Sequence, residues 1–298
     1  MTSYPEQGRG MALSVTASLL FTLMSVYAKL LAPLTGLDIF AWRVLWTTPG
    51  AFALILLRGR WPALATLLRR AATEREVLVA LPVSAALLGV QLWLFLWAPL
   101  HGKMLDVSLG YFLLPLVMVV VGRYYYHERL DPLQWLAVGC AALGVLHELW
   151  VTHAFSWPTL VAALGYPPYF VLRRRINADS LAAFAIEVSL LCPVAALMVA
   201  SSDTRVAGHP LLEIVLLPGL GAISTLALST YLKASRMLPM ALFGILGYVE
   251  PVLLVGVSVL LLGETLSVRQ LGTYGPIWVA VALIGAHSML TLKRLQSR

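Results

Sequence analysis

The chain has 298 residues, of which 60% are apolar and only 12% charged. Soluble domains run near about 45–50% apolar and about 25% charged, and the mean hydropathy here is +0.85. This composition excludes a soluble enzyme, a disordered chain and a disulfide-stapled secreted domain, and it implies an integral membrane protein. A spanning helix takes about 20 residues, so the length allows roughly ten to twelve spans and no soluble domain. The net charge of +7 comes from 21 Lys and Arg against 14 Asp and Glu. It fits the basic surplus that membrane proteins keep on the cytoplasmic side rather than a nucleic-acid partner. Cys140 and Cys192 lie in apolar stretches and match neither a disulfide framework nor a metal-ligand spacing. The first apolar run is too long for a signal peptide and is expected to stay in the membrane.

Apolar runs parted by charged or turn residues give ten spans, at about 10–32, 38–57, 77–98, 104–122, 132–150, 157–172, 181–201, 211–234, 241–262 and 268–292. With the N-terminus inside, the cytoplasmic side collects 16 basic residues. They are Arg9, Arg58, Arg60, Arg69, Arg70, Arg75, Arg123, Arg129, Arg173, Arg174, Arg175, Lys233, Arg236, Lys293, Arg294 and Arg298. The opposite side holds three, Lys103, Arg205 and Arg269. This asymmetry obeys the positive-inside rule and places both termini in the cytoplasm. Losing one span would scramble it.

Taken in chain order, the spans carry few polar groups, and each has two readings. Lys29, near the outer end of the first span, either snorkels to the interface or meets a ligand. Arg43 lies roughly two turns inside the second. Its planar fork suits a substrate carboxylate or phosphate, or else a salt bridge between helices. In the loop from Arg58 to Glu76, Leu64, Leu67, Leu68 and Ala71 recur at helical spacing beside arginines. This predicts a short amphipathic helix on the inner membrane surface. Gln91 and Trp93 fall near the middle of the third span, and Tyr111 and Phe112 precede Pro115 in the fourth. Tyr166-Pro-Pro-Tyr169 predicts a broken sixth helix bearing two tyrosines.

Glu187, in the cytoplasmic half of the seventh span, completes an ion pair or relays a proton. In the ninth span Tyr248 and Glu250 directly precede Pro251. A proline frees a backbone carbonyl one turn earlier. A broken helix with a carboxylate near the midplane suits a cation or a proton, the alternative being a carboxyl that serves structure alone. Aromatic side chains with a few polar groups suit a drug-sized ligand, and a cation gains from the ring faces. Gly272, Gly275 and Gly285 in the tenth span, with Gly139 and Gly144 in the fifth, read as small-residue faces. Such faces pack within the fold or between two copies of the chain.

The fourth and ninth spans repeat each other. Pro115 precedes Glu128 by 13 residues, and Pro251 precedes Glu264 by 13. Leu130 and Leu266 follow two residues after each Glu, and Gln134 and Gln270 six after. The chain therefore reads as two five-helix halves, residues 1–150 and 151–298. Five is odd, so the halves run in opposite orientations. Inverted repeats are a transporter signature, with substrate held at the repeat interface near the midplane. There is no HExxH pair, Gly-rich phosphate loop or nucleophile constellation, so neither metal, cofactor nor ATP hydrolysis is expected. The reading is a secondary transporter working by alternating access. A channel or facilitator, an importer of a small metabolite, or a membrane-embedded enzyme is the alternative.

The run Ser108-Leu-Gly-Tyr-Phe-Leu-Leu-Pro115, Gly122, and the stretch from Glu128-Arg129-Leu-Asp-Pro to Val138 resemble the RarD branch of the EamA transporters. Further matches are Tyr27-Ala-Lys29-Leu30, Arg43-Val44-Leu45-Trp46, Phe95-Leu96-Trp97-Ala98, Glu187 and Leu191-Cys-Pro193, so the resemblance spans nearly the whole chain. It implies membership of the drug/metabolite transporter superfamily, ten helices in a bacterial inner membrane, and export of small metabolites or drugs. The chain departs from that pattern where Asn is usual, at Gln91, Leu100, His101, Leu114 and Met118. It also carries Gly247 in place of Gln and Glu250 in place of Gly.

Overall fold

The computed structural model describes residues 4–153, 155–202, 209–262 and 267–296. Glu264, Leu266 and Arg205 lie outside them. The described chain is all helix and turn. Its helices are α1 (Tyr4–Tyr27, continued by a 3-10 turn, Ala28–Leu31), α2 (Gly36–Leu57), α3 (Trp61–Thr73), α4 (Arg75–Leu100), α5 (Met104–Tyr124) and α6 (Pro132–Thr152). The second half of the chain forms α7 (Trp157–Arg175), α8 (Ser180–Ala200), α9 (Leu217–Met237, entered through a π-turn, Leu212–Leu216), α10 (Met240–Leu246), α11 (Val249–Leu262) and α12 (Val268–Gln296). Eight stretches among the described residues are long and apolar enough to cross a membrane. The expected spans outside that set are α7, whose last turn carries Arg173–Arg175, and α12.

Local chemistry explains several boundaries. Thr35 caps α2: its hydroxyl accepts from Asp38 N–H at 3.2 Å while Asp38 accepts from Thr35 N–H at 3.0 Å. Asp179 caps α8 by accepting from the N–H groups of Leu181 and Ala182. Gln134 accepts from the N–H of Asp131 at 3.0 Å, and Gln270 accepts from the N–H of Ser267 at 2.9 Å. The glutamines found at matched positions in the two halves thus do one job, closing the first turns of α6 and α12. The amphipathic helix forms as α3, with Leu64 and Leu67 buried and Trp61 and Leu68 exposed.

Of two expectations about proline, one needs correction, and the other, the broken ninth span, is met with the break one turn before Pro251. The sixth helix is not broken: α7 runs uninterrupted through Pro167 and Pro168. Membrane helices tolerate proline where neighbouring groups and local adjustments meet the freed carbonyls. In the ninth span the interruption falls at Gly247-Tyr248, between α10 and α11, and Pro251 is the third residue of α11. There an N–H would have no intrahelical partner, so the proline starts a helix instead of kinking one. Its counterpart Pro115 lies inside an unbroken α5.

Two compact units interleave along the chain. One comprises Leu20–Trp97 and Pro168–Lys233; the other comprises Met1–Leu19, Ala98–Pro167 and Ala234–Arg298. In the first, α2 packs along α8 through Ala41, Val44 and Ala195. Gly221 of α9 lies against the backbone and Cβ of Trp46, where no side chain fits. In the second, α6 packs along α12 and α5 along α10. A Cβ on Gly144 would stand 2.5 Å from Thr273 O, and one on Gly244 would stand 2.6 Å from Met118 Cβ. Lipid tails are as apolar as leucine, so close approach over small residues holds such pairs together. The expected small-residue face is only partly used: Gly144 and Gly272 are in close contact, whereas a Cβ on Gly139, Gly275 or Gly285 would meet nothing within 4 Å.

Candidate functional site

In the α2/α8 unit, Arg43 projects from α2, and its Nε donates to Ser224 Oγ of α9 at 2.9 Å. Ser224 is fully buried, at 0% exposure. The two side chains wall a cavity of about 10 Å³, closed otherwise mainly by Phe40, Thr47, Leu88 and Leu191. Thr47 is 1% exposed, and its Oγ1 has no hydrogen-bond partner among the described residues. The cavity draws Arg43 and Thr47 from the first half of the sequence and Ser224 from the second.

The same unit holds a second polar cluster. Glu187 of α8 is 0% exposed and accepts from Ser84 Oγ at 2.7 Å and from the Tyr169 hydroxyl at 3.0 Å. Arg173 of α7, 4% exposed, forms an ion pair with Glu187 through Nη1 and donates through Nη2 to Ser180 O at 2.7 Å. Its guanidinium also lies 5.6 Å from the centre of the Tyr169 ring. Arg173 was expected among the loop arginines; the structure places it inside the last turn of α7. The available signal was the i, i+4 spacing of Tyr169 and Arg173 on one helical face. A fully paired buried cluster of this kind holds α7, α8 and α4 in one arrangement.

The remaining expected site residues divide clearly. Gln91 is buried in α4. Trp93 is 44% exposed and stacks on Trp97 with ring centres 5.6 Å apart. Lys29 is exposed in the turn after α1. In the α6/α12 unit, Tyr248 is buried and its hydroxyl donates to Phe112 O at 2.7 Å. Tyr111 is half-buried on α5, and Glu250 is half-buried in the first turn of α11, directly after the helix break. The structure thus joins Tyr169 to Glu187 and Tyr248 to α5, while Lys29 and Trp93 are exposed.

Groups that sequence reasoning passed over are Thr47, Ser84, Ser224 and a carboxylate clamp. Glu128 accepts from the N–H groups of Met240 and Ala241, at 2.6 and 2.8 Å, and so caps α10. His147, Thr273 and Glu148 form another polar chain between α6 and α12, with Thr273 Oγ1 2.6 Å from Glu148 and 3.0 Å from His147 Nδ1. Among the described residues, no group of three or more His, Cys, Asp or Glu side chains is placed to hold a metal ion.

The EamA-like transporter family matches residues 8–147. The chloramphenicol-sensitive protein RarD of Pseudomonas aeruginosa is 49% identical over 98% of this chain and 98% of its own. The chain belongs to the EamA transporter family. Within it the chain falls in the RarD branch, and thereby in the drug/metabolite transporter superfamily. The RarD protein of Escherichia coli is 30% identical over 96% of this chain and 97% of its own. An uncharacterized transporter of Pasteurella multocida is 36% identical over 96% of this chain and 98% of its own. A solved crystal structure shares the fold, with a TM-score of 0.71 over 94% of this chain and 98% of the other, at 18% identity. EamA proteins are transporters rather than enzymes, and this member is a multi-pass membrane protein with a general transport role.

Proposed function

We propose that this EamA protein is a secondary transporter that exports a small metabolite or drug-like molecule across the bacterial inner membrane by alternating access. It spans the membrane ten times, with both termini inside. Residues 1–150 and 151–298 are its inverted repeats. One observation carries the reading. The most extensive helix pairings are α6 with α12, α2 with α8, and α5 with α10. Each pairs a span with the span five places later, the relation expected of two related five-helix halves. The matched capping glutamines, Gln134 and Gln270, and the surplus of basic residues on one side support it further.

The ligand-facing residues in this reading are Arg43, Gln91, Trp93, Tyr111, Tyr248, Glu250, Tyr169 and Lys29, with Arg43 and Glu250 carrying charge recognition. Glu187 and Glu250 are the relay candidates. The test is uptake and exchange of radiolabelled amines, amino acids and antibiotics by proteoliposomes. Saturable flux is expected, lost in Arg43→Ala and in Glu250→Ala while each variant still elutes as a single folded species. Normal flux in both would remove the site assignment. Flux that never saturates would favour a channel.

A further inference from the structure

We propose that the cavity beneath Arg43 is an anion subsite that seats one oxygen of a carboxylate, and that the molecule carried is a carboxylate or zwitterion rather than a phosphate ester. The identity of the ligand as cargo rests on the transporter reading; the existence of the subsite does not. Three features point to it. Every polar group on the cavity wall can donate. Arg43 brings a guanidinium, Thr47 an O–H whose oxygen meets no described group, and Ser224 an oxygen that accepts from Arg43 and keeps its own proton to give. No acidic side chain lines the cavity. The remaining wall is apolar, with Leu88 and Leu191 among its members, so a bound negative charge is little screened by water.

Size then chooses among anions. About 10 Å³ holds one water-sized atom. One oxygen of a planar carboxylate fits while the rest of the ligand stays outside. Phosphate and sulfate set three further oxygens around the one that enters, a wider cross-section than the planar carboxylate presents. Chloride also has the right size and charge, so carboxylate and halide must be told apart by experiment.

The probes are sodium acetate, glycine betaine, sodium chloride and sodium phosphate. Each is titrated into the purified full chain in detergent at constant ionic strength set with sodium sulfate, while the thermal unfolding midpoint is followed. A ligand that binds only the folded chain raises the midpoint in proportion to RT ln(1 + [L]/Kd). Acetate and betaine are expected to raise it saturably and phosphate is not. Thr47→Val keeps the volume and removes the hydroxyl, and it should weaken acetate binding at least tenfold; Thr47→Ser should retain it. The subsite is overturned if acetate has no saturable effect, if phosphate acts equally, if chloride acts and carboxylates do not, or if Thr47→Val binds like the parent. Carboxylate binding without flux of any carboxylate would leave the subsite standing and remove it from transport. Saturable flux without the acetate effect would remove the subsite and leave the transporter.

Discussion

Glu187→Gln isolates what the buried ion pair with Arg173 does. In the parent, the carboxylate accepts hydrogen bonds from Ser84, Tyr169 and Arg173, and both charged side chains are buried. Glutamine keeps the shape but removes the charge. It also brings an NH₂ donor beside the Arg173 guanidinium, which can only donate. Arg173 is then left buried without its counter-charge. Removing one partner of a buried pair costs about 3–5 kcal/mol. At about 2–4 °C per kcal/mol, the unfolding midpoint should fall by roughly 6–20 °C. The assay is thermal unfolding of the detergent-solubilised chain, followed by tryptophan fluorescence. The paired substitution Glu187→Met with Arg173→Met removes both charges and keeps two long side chains. It should unfold above the single variant, because exchanging both members of a buried pair for apolar groups is close to neutral. Part of the loss will remain, since Ser84 and Tyr169 each lose an acceptor. A midpoint for Glu187→Gln within about 2 °C of the parent, or a double variant less stable than the single, would refute this account. An unchanged midpoint with abolished flux would instead place Glu187 in the transport cycle, as the relay reading has it.

Other expected outcomes concern the helix contacts. Gly144→Ala pushes a methyl toward Thr273 O and Ile277 and should cost about 1–3 kcal/mol in a chemical-denaturation series. Gly139→Ala, where the added carbon meets nothing, should be neutral or stabilising by about 0.5–1 kcal/mol. Equal costs at the two positions would mean that the face around Gly139 is packed in the membrane. Glu128→Ala removes two charge-assisted bonds from the start of α10 and should cost about 1–2 kcal/mol, with earlier hydrogen exchange in Met240–Leu246. Arg70, through its hydrogen bonds, holds the Glu74 carboxyl below its ordinary range. Because the folded value is lowered, this contribution is present at neutral pH and lost as the pH falls through the value of Glu74 itself. Acidification should therefore loosen the end of α3 and raise proteolysis there, and Glu74→Gln should remove that pH step.

Several helix positions were legible because lipid imposes one rule along the whole chain: every spanning residue must be apolar or compensated. The second span, expected at 38–57, is Gly36–Leu57; the fourth, expected at 104–122, is Met104–Tyr124; the seventh, expected at 181–201, is Ser180–Ala200. Capping residues at Thr35 and Asp179 account for the small differences. The amphipathic period of α3 was legible for the same reason, since one face had to be wet. Proline misled at α7 and marked the break in the ninth span to within a turn. Its effect depends on whether the missing N–H would have had an acceptor, and in α7 and α11 neighbouring structure decides that.

The site was less legible, because its partners are set by packing between helices far apart in sequence. Arg43 could be singled out from its span, but Ser224 lies 181 positions away and Glu187 lies 103 from Ser84. Nothing in the local pattern of either serine marks it. Arg173 was hidden more thoroughly: it stands in a run of three arginines that the charge count assigned to the cytoplasmic surface, and only the helical phase of Tyr169 separates it from Arg174 and Arg175. The repeat lay between these extremes. Matched Pro, Glu and Gln positions suggested it without saying what they do. Gln134 and Gln270 turn out to close helix starts, and Glu128 closes the start of α10. The recurring residues of the two halves that the structure resolves into roles are therefore the framework of the helices. The groups with chemistry to offer a ligand are not matched in this way: at the cavity Arg43 and Thr47 come from the first half and Ser224 from the second. In the proposed repeat each half needs its own helix ends specified, whereas the proposed carboxylate ligand needs one guanidinium.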